Sequence, residues 1–338
     1  MSKPTTVLIT GAGGFLGSLL ADTILRLEPD VDYRFILVDV AAPKPPRGTR
    51  AAVCLKADLT KPEGVESVFS TEYAKPDVIY SLHGIMSKGS EENWQFGFSV
   101  NFDSTRALLD GAHRHVPGVK FVFASSIGVF GGELPKVVMP NTLPTPEGAY
   151  GTAKVMCEYL VTEYSRKGFV DGRVVRLPTI TVRPGPPAAA TTAFVSGIIR
   201  EPIQGLEAVC PIGTGIDDPL LDKLRSFVST PTTVLENFVH AKNVPASSFP
   251  RYSRVVNLPG FSVSVKQQIE ALRKVAGDDA VKLIKFERDE VCERLVATFP
   301  QEFDNSYALS LGFKVDQGGF ETNVKEFQNH LKSQQAQK

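Results

Sequence analysis

The chain's 338 residues predict an α/β fold, a doubly wound parallel sheet with a smaller C-terminal lobe interleaved with its last elements. Three observations predict it. Short apolar runs recur without polar interruption, the pattern of strands buried on both faces. Stretches with apolar residues at helical spacing separate them, which is the alternation of a parallel sheet. The first apolar run also ends in a glycine-rich turn that opens the first helix.

In chain order, strands are expected at 6–10, 35–38, 52–55, 78–82, 121–124, 173–177 and 254–258. The spacing predicts helices over 15–27, 98–115, 149–167 and 231–241, with further helical patterns after Ser262, at 289–298 and at 318–333. From about Pro178 the texture changes, with Pro184, Pro186 and Pro187 ahead of an alanine-threonine stretch. A second lobe is expected to begin there. The expected division gives 1–178 plus about 226–260 to a nucleotide-binding (Rossmann) domain and about 179–225 plus 261–338 to a substrate-binding lobe.

Composition removes several function classes. Hydrophobic residues make up 42% and charged residues 22%, enough for a full core, and Lys+Arg balances Asp+Glu at 37 each. That neutrality leaves no basic footprint for nucleic acid or an anionic membrane. Four widely spaced cysteines, without a C-x-x-C pair, predict neither a disulfide framework nor a metal site. No secretory signal or membrane-length apolar run is visible, so a cytoplasmic protein is expected.

Gly11, Gly14 and Gly17 form G-x-x-G-x-x-G at the first strand-to-helix junction. Glycines there permit a tight turn and close approach of a pyrophosphate to the helix N-terminus. Asp39 ends the second strand, where a carboxylate accepts from an adenosine ribose and repels a 2′-phosphate. NAD is therefore favoured over NADP. Asp58, just after the third strand, is placed to accept from the adenine amine or to cap the helix before Pro62. Further on, Ser125-Ser126 closes the fifth strand, while Tyr150 and Lys154 lie four apart on one helix face.

Taken together, Gly11–Gly17, Asp58-Leu59, Ser126-x-x-Val129-Phe130-Gly131, Tyr150-Gly151-x-x-Lys154 and Arg176-Leu177-Pro178 resemble the extended short-chain dehydrogenase/reductases, the group that includes nucleotide-sugar epimerases. The stretches 126–135, 164–169, 176–185 and 196–202 most resemble its D-erythronate dehydrogenase branch. The resemblance implies NAD-linked oxidation of a secondary hydroxyl of a sugar acid. It implies Tyr150 as general acid/base, its phenolate favoured by the Lys154 ammonium, with Ser126 on the substrate oxygen and Asn101 organising the site. It also implies that Phe15, Leu16, Leu59 and Pro178 join Gly11, Gly14, Gly17, Asp39, Asp58, Tyr150 and Lys154 around the cofactor, and that the helices at 98–115 and 149–167 pair two copies into a homodimer.

The substrate end is expected to draw on Ser87, Ser126, Tyr150, Thr179, Arg183 and Arg200. A sugar-acid carboxylate needs a cation, although each arginine can equally serve a structural salt bridge. His83 is expected to be structural. Three alternatives stay open: an epimerase or dehydratase that regenerates its cofactor each cycle, a ketoreductase for a bulkier metabolite, and a noncatalytic dinucleotide sensor.

Overall fold

The computed structural model describes residues 3–49, 51–73, 75–185 and 192–335. Residues 186–191, which hold Pro186, Pro187 and most of the alanine-threonine stretch, lie outside them. The strands are β1 (Thr5–Thr10), β2 (Tyr33–Asp39), β3 (Ala52–Lys56), β4 (Val78–Ser81), β5 (Lys120–Ser126), β6 (Asp171–Leu177), β7 (Thr179–Ile180), β8 (Ala208–Cys210), β9 (Arg225–Ser229), β10 (Val255–Asn257), β11 (Phe261–Ser264) and β12 (Ile284–Phe286). The helices are α1 (Gly17–Leu27), α2 (Pro62–Phe69), α3 (Ser87–Glu92), α4 (Trp94–Phe98), α5 (Ser104–His115), α6 (Ala149–Arg166), α7 (Ala193–Ile203), α8 (Leu220–Lys223), α9 (Pro231–Ala241), α10 (Val265–Ala276), α11 (Asp278–Lys282), α12 (Glu290–Thr298), α13 (Ser306–Ser310) and α14 (Phe320–Gln335).

All seven expected strands form one parallel sheet in the order β10-β6-β5-β4-β1-β2-β3. Each is apolar on both faces because each feeds two cores. Val7 and Ile9 of β1, with Phe35 and Leu37 of β2, face a core closed by α1 and α9. Leu8, Ile36, Ile79 and Phe121 face the opposite one, closed by α2, α5 and α6. The strand order reverses between β1 and β4, and that switch point opens a crevice at the strands' carboxyl ends.

A second sheet, β11-β9-β7, and the pair β12-β8 build the C-terminal lobe around its own core of Val195, Ile198, Ile269, Leu272 and Val324. Residues 226–229, grouped from the sequence with the nucleotide-binding part, pair in this second sheet. The next helix, α9, returns to the first core through Val234, Leu235 and Phe238.

The helix expected from Phe98 is different in detail. The chain first makes α3 and α4, then a π-helical turn over Ser99–Asp103, and only then α5. Among the described residues no helix is long and apolar enough to cross a membrane.

Candidate active site

The glycine turn is shaped by close approach. Gly11 has φ +69°, a left-handed conformation, and a Cβ on it would lie 2.7 Å from the His83 backbone nitrogen. A Cβ on Gly17 would fall 2.1 Å from the Gly11 carbonyl oxygen, so α1 can start this close to β1 only with glycine. No side chain caps α1, which leaves the positive end of the helix for an anion. Asp39, at the end of β2, accepts from the Gly13 N–H at 2.9 Å through Oδ2.

Phe15 and Leu16 follow the turn and pack partly into the first core. Asp58 is exposed and accepts from the Thr60 N–H and hydroxyl at 2.9 and 2.7 Å, contacts that hold its carboxyl below the usual carboxylate range. It closes a local turn, whereas the N-cap of α2 is Lys61. The Leu59 side chain is buried in the second core.

Tyr150 and Lys154 of α6 meet Ser126 at the carboxyl end of β5. Lys154, buried on α6, donates from Nζ to the Ala124 carbonyl at 2.9 Å and lies 4.7 Å from the Phe123 ring centroid and 5.7 Å from that of Tyr150. Ser126 caps the short turn at 127–129, accepting from the Gly128 N–H at 3.0 Å. A Cβ on Gly128 would sit 3.3 Å from Ser126 Oγ and 3.7 Å from the Tyr150 ring, so the two side chains flank one glycine. Ser125 points the other way, donating to buried Glu158.

Asn101 owes its position to the π-helical turn, which rotates it out of α-helical register. It is 1% exposed, accepts from the Ile85 N–H at 2.8 Å, and donates to the Ile85 carbonyl and Ser90 Oγ, each at 3.1 Å. Its amide thus clips the loop after β4. A Cβ on Gly84, inside that loop, would meet Asn101 Oδ1 at 2.7 Å and Lys154 Nζ at 3.6 Å. His83 engages both ring nitrogens, with Thr10 Oγ1 at 2.7 Å and Ser104 Oγ at 2.9 Å. Burial, with the Lys154 charge adding to it, pushes its pKa down to about 3, so the ring is a neutral strut.

A cavity of about 630 Å³ opens in front of Tyr150 and Ser126. It gathers every residue expected at the substrate end, Ser87, Thr179, Arg183 and Arg200 included, together with Pro178. The two arginines differ. Arg200 is 3% exposed and committed, paired with Glu201 and donating to the Arg183 carbonyl at 3.2 Å. Arg183 makes no ion pair among the described residues, and only its Nε is engaged, with the Ile180 carbonyl at 3.3 Å. Burial lowers its pKa, while the neighbouring Tyr150 acts in the opposite direction.

Comparison with known proteins agrees with this geometry. Residues 7–216 match the model of the NAD dependent epimerase/dehydratase family. D-erythronate dehydrogenase of Haemophilus influenzae is 43% identical over 322 residues, covering 95% of this chain and 98% of that one. The chain belongs to the NAD-dependent epimerase/dehydratase family. It is an NAD-dependent oxidoreductase. D-erythronate dehydrogenase of Cupriavidus necator is 39% identical over 92% of this chain and 94% of its own. The crystal structure of a nucleoside-diphosphate-sugar epimerase from Agrobacterium tumefaciens superposes with a TM-score of 0.87 at 35% identity, covering 95% of this chain and 92% of that one.

The family's cofactor suits the residues present. The uncapped N-terminus of α1 suits a pyrophosphate, and the Asp39 carboxylate, which accepts from Gly13 through Oδ2, suits a ribose hydroxyl through Oδ1. This family member also places in its cavity residues that the sequence reading passed over: Glu91, Arg225 and Phe227. Glu91, on α3, accepts from the Ala149 N–H and so caps α6 one residue before Tyr150. Arg225 opens β9 and is steered by Ser262, with Nε to Oγ at 2.8 Å. The available signal was a charge at the start of an apolar strand.

Proposed function

We propose that this oxidoreductase oxidises a secondary hydroxyl of a short sugar acid of the D-erythronate type. One observation carries the reading: a guanidinium without an acidic partner among the described residues shares the cavity with Tyr150 and Ser126, so a carboxylate and a reacting hydroxyl have complementary groups in one space. The two relatives named D-erythronate dehydrogenase support it across nearly their whole length.

In this reading the Tyr150 oxygen takes the hydroxyl proton, and Ser126 Oγ holds the same substrate oxygen as it becomes a carbonyl. Lys154, fixed by the Ala124 carbonyl, stabilises the phenolate. Arg183 grips the substrate carboxylate, and Ser87 and Thr179 offer hydroxyls to the rest of the chain. Arg200 acts by holding the Arg183 backbone. NAD, when bound, takes up the hydride. Gly11, Gly14 and Gly17 with the start of α1 seat its pyrophosphate, Asp39 its ribose, and Asp58 its adenine edge.

The division of 1–178 plus about 226–260 for the cofactor and about 179–225 plus 261–338 for the substrate belongs to the same proposal, with β9 contributing to the substrate side. A cytoplasmic homodimer completes it. Exposed Trp94 and Phe96 on α4 and Met156 and Tyr159 on α6 support a partner surface, because these two helices pack side by side. Light scattering that shows only monomer at micromolar concentration removes the dimer.

The test is NADH formation from NAD⁺ with a panel of four- to six-carbon aldonates and uronates. D-Erythronate or a close relative is expected to be turned over. Silence across the panel, with NAD retained through purification, transfers the reading to an epimerase that regenerates its cofactor internally.

A further inference from the structure

Beneath the site lies a charged network that the chemistry above does not use. Tyr150, Lys154 and Glu158 are spaced by four along α6 and share one face. Glu158 is 3% exposed. Its carboxylate accepts from Arg176 Nε at 2.9 Å and Nη2 at 2.6 Å, and also from Ser125 Oγ. Arg176, on β6, reaches Asn257 of β10 at 3.4 Å and stacks 4.8 Å from the centroid of Phe130, a cavity-lining ring.

A buried ion pair of this kind adds little stability over an apolar pair of the same volume, because desolvation offsets the attraction. Orientation is the better account. Two successive turns of α6 grip two successive residues of β5: Lys154 holds the Ala124 carbonyl, and Glu158 holds the Ser125 hydroxyl. Ser126 is the next residue on the strand. Together the grips fix both the rotation and the translation of the helix against the strand. A roll of about 10° would carry a phenolic oxygen some 8 Å from the helix axis by more than about 1 Å. Displacements of about that size cost on the order of 10²-fold in rate.

We infer that Glu158, braced by Arg176, is a positioning residue for proton transfer: it locks α6 in register on β5 and so sets the separation of Tyr150 from Ser126. This rests on the roles proposed for Tyr150 and Ser126. Whether wild type turns over D-erythronate tests the proposed function. The ratio of variant to wild type, on whichever secondary alcohol wild type oxidises, tests the positioning.

The experiment replaces the network by apolar groups of similar volume, Ser125→Ala with Glu158→Leu and Arg176→Met. Expected are an unchanged thermal midpoint and an NADH affinity, read by fluorescence, within about twofold. The substrate KM should stay within about threefold, kcat should fall by about 10²-fold, and the solvent isotope effect on kcat should rise as proton transfer becomes limiting. A folded triple variant with kcat within about threefold of wild type overturns the inference. If the triple variant does not fold, Ser125→Ala alone decides. It removes one grip, and an unchanged kcat and isotope effect overturn the inference, whereas a several-fold loss with a raised isotope effect supports it.

Discussion

Gly151 and Gly128 pack so closely that a Cβ on Gly151 would fall 2.3 Å from the Gly128 carbonyl oxygen. The contact seats the first turn of α6 against the turn that Ser126 caps, so the residue after Tyr150 must be glycine for Tyr150 and Ser126 to meet. Gly151→Ala is expected to force these two backbones apart. Stability should drop by about 1–3 kcal/mol and kcat by more than tenfold, checked by denaturant unfolding and steady-state kinetics. An alanine variant of wild-type activity would show that the two turns move apart freely.

Tyr150→Phe deletes only the phenolic oxygen, the proton carrier in the proposed reading, and keeps the ring near Gly128. Turnover should fall by roughly 10²–10⁴-fold while NADH binding stays near wild type, read by fluorescence titration. Near-normal kcat would remove Tyr150 from the chemistry.

Asp39 holds the Gly13 N–H and, in the proposed reading, the cofactor ribose. Asp39→Ala should weaken NAD(H) binding and raise the relative use of NADP(H), because the charge that repels a 2′-phosphate is gone. Unchanged ratios of kcat/KM for the two cofactors would mean that another group reads the ribose.

Much of this was legible in the sequence, and the reason differs by element. Strands such as Val7-Leu8-Ile9 read clearly because burial on both faces leaves no polar position to blur the run. The glycine turn and the Tyr150–Lys154 pair read clearly because backbone approach and helix periodicity restrict the residue types allowed there. α3 did not, since Ser-Lys-Gly-Ser-Glu-Glu has no apolar face. It is held by Asn101 against Ile85 and Ser90 and by Glu91 against α6. The different fates of Arg183 and Arg200 were equally hidden, because the 17-residue reach from Arg200 Nη1 to the Arg183 carbonyl and the 13-residue reach from Arg183 N to Ser196 Oγ depend on how α7 folds back.

His83 gives a pH signature. Its folded pKa of about 3 lies below the value near 6.5 expected of the unfolded chain. Below about 6.5 the unfolded chain therefore binds the extra proton, so this stabilisation is complete above 6.5 and is lost as pH falls toward 3. Thermal melts from about pH 7 down to about pH 5, above most carboxylate titrations, should show a falling midpoint, with a shallower fall for His83→Gln. Parallel slopes for the two proteins would mean that the ring takes up a proton without cost.

In the proposed reading, substrate choice turns on Arg183. It lines a cavity that Tyr150 also lines, its Nε is held by the Ile180 carbonyl at 3.3 Å, and its backbone is fixed by Ser196 Oγ at 3.1 Å and by Arg200 at 3.2 Å, so its guanidinium is presented with little freedom to lose. A charge-assisted pair with a carboxylate contributes about 1.5–3 kcal/mol, or roughly 10- to 150-fold in affinity. Arg183→Gln should therefore raise the KM for the acid by about that factor while leaving NADH affinity alone. Arg183→Lys should recover only part of the loss, since one ammonium cannot reproduce a two-pronged contact. The neutral amide of the same acid separates a charge contact from mere cavity shape: the variant should discriminate little between acid and amide, where wild type strongly prefers the acid.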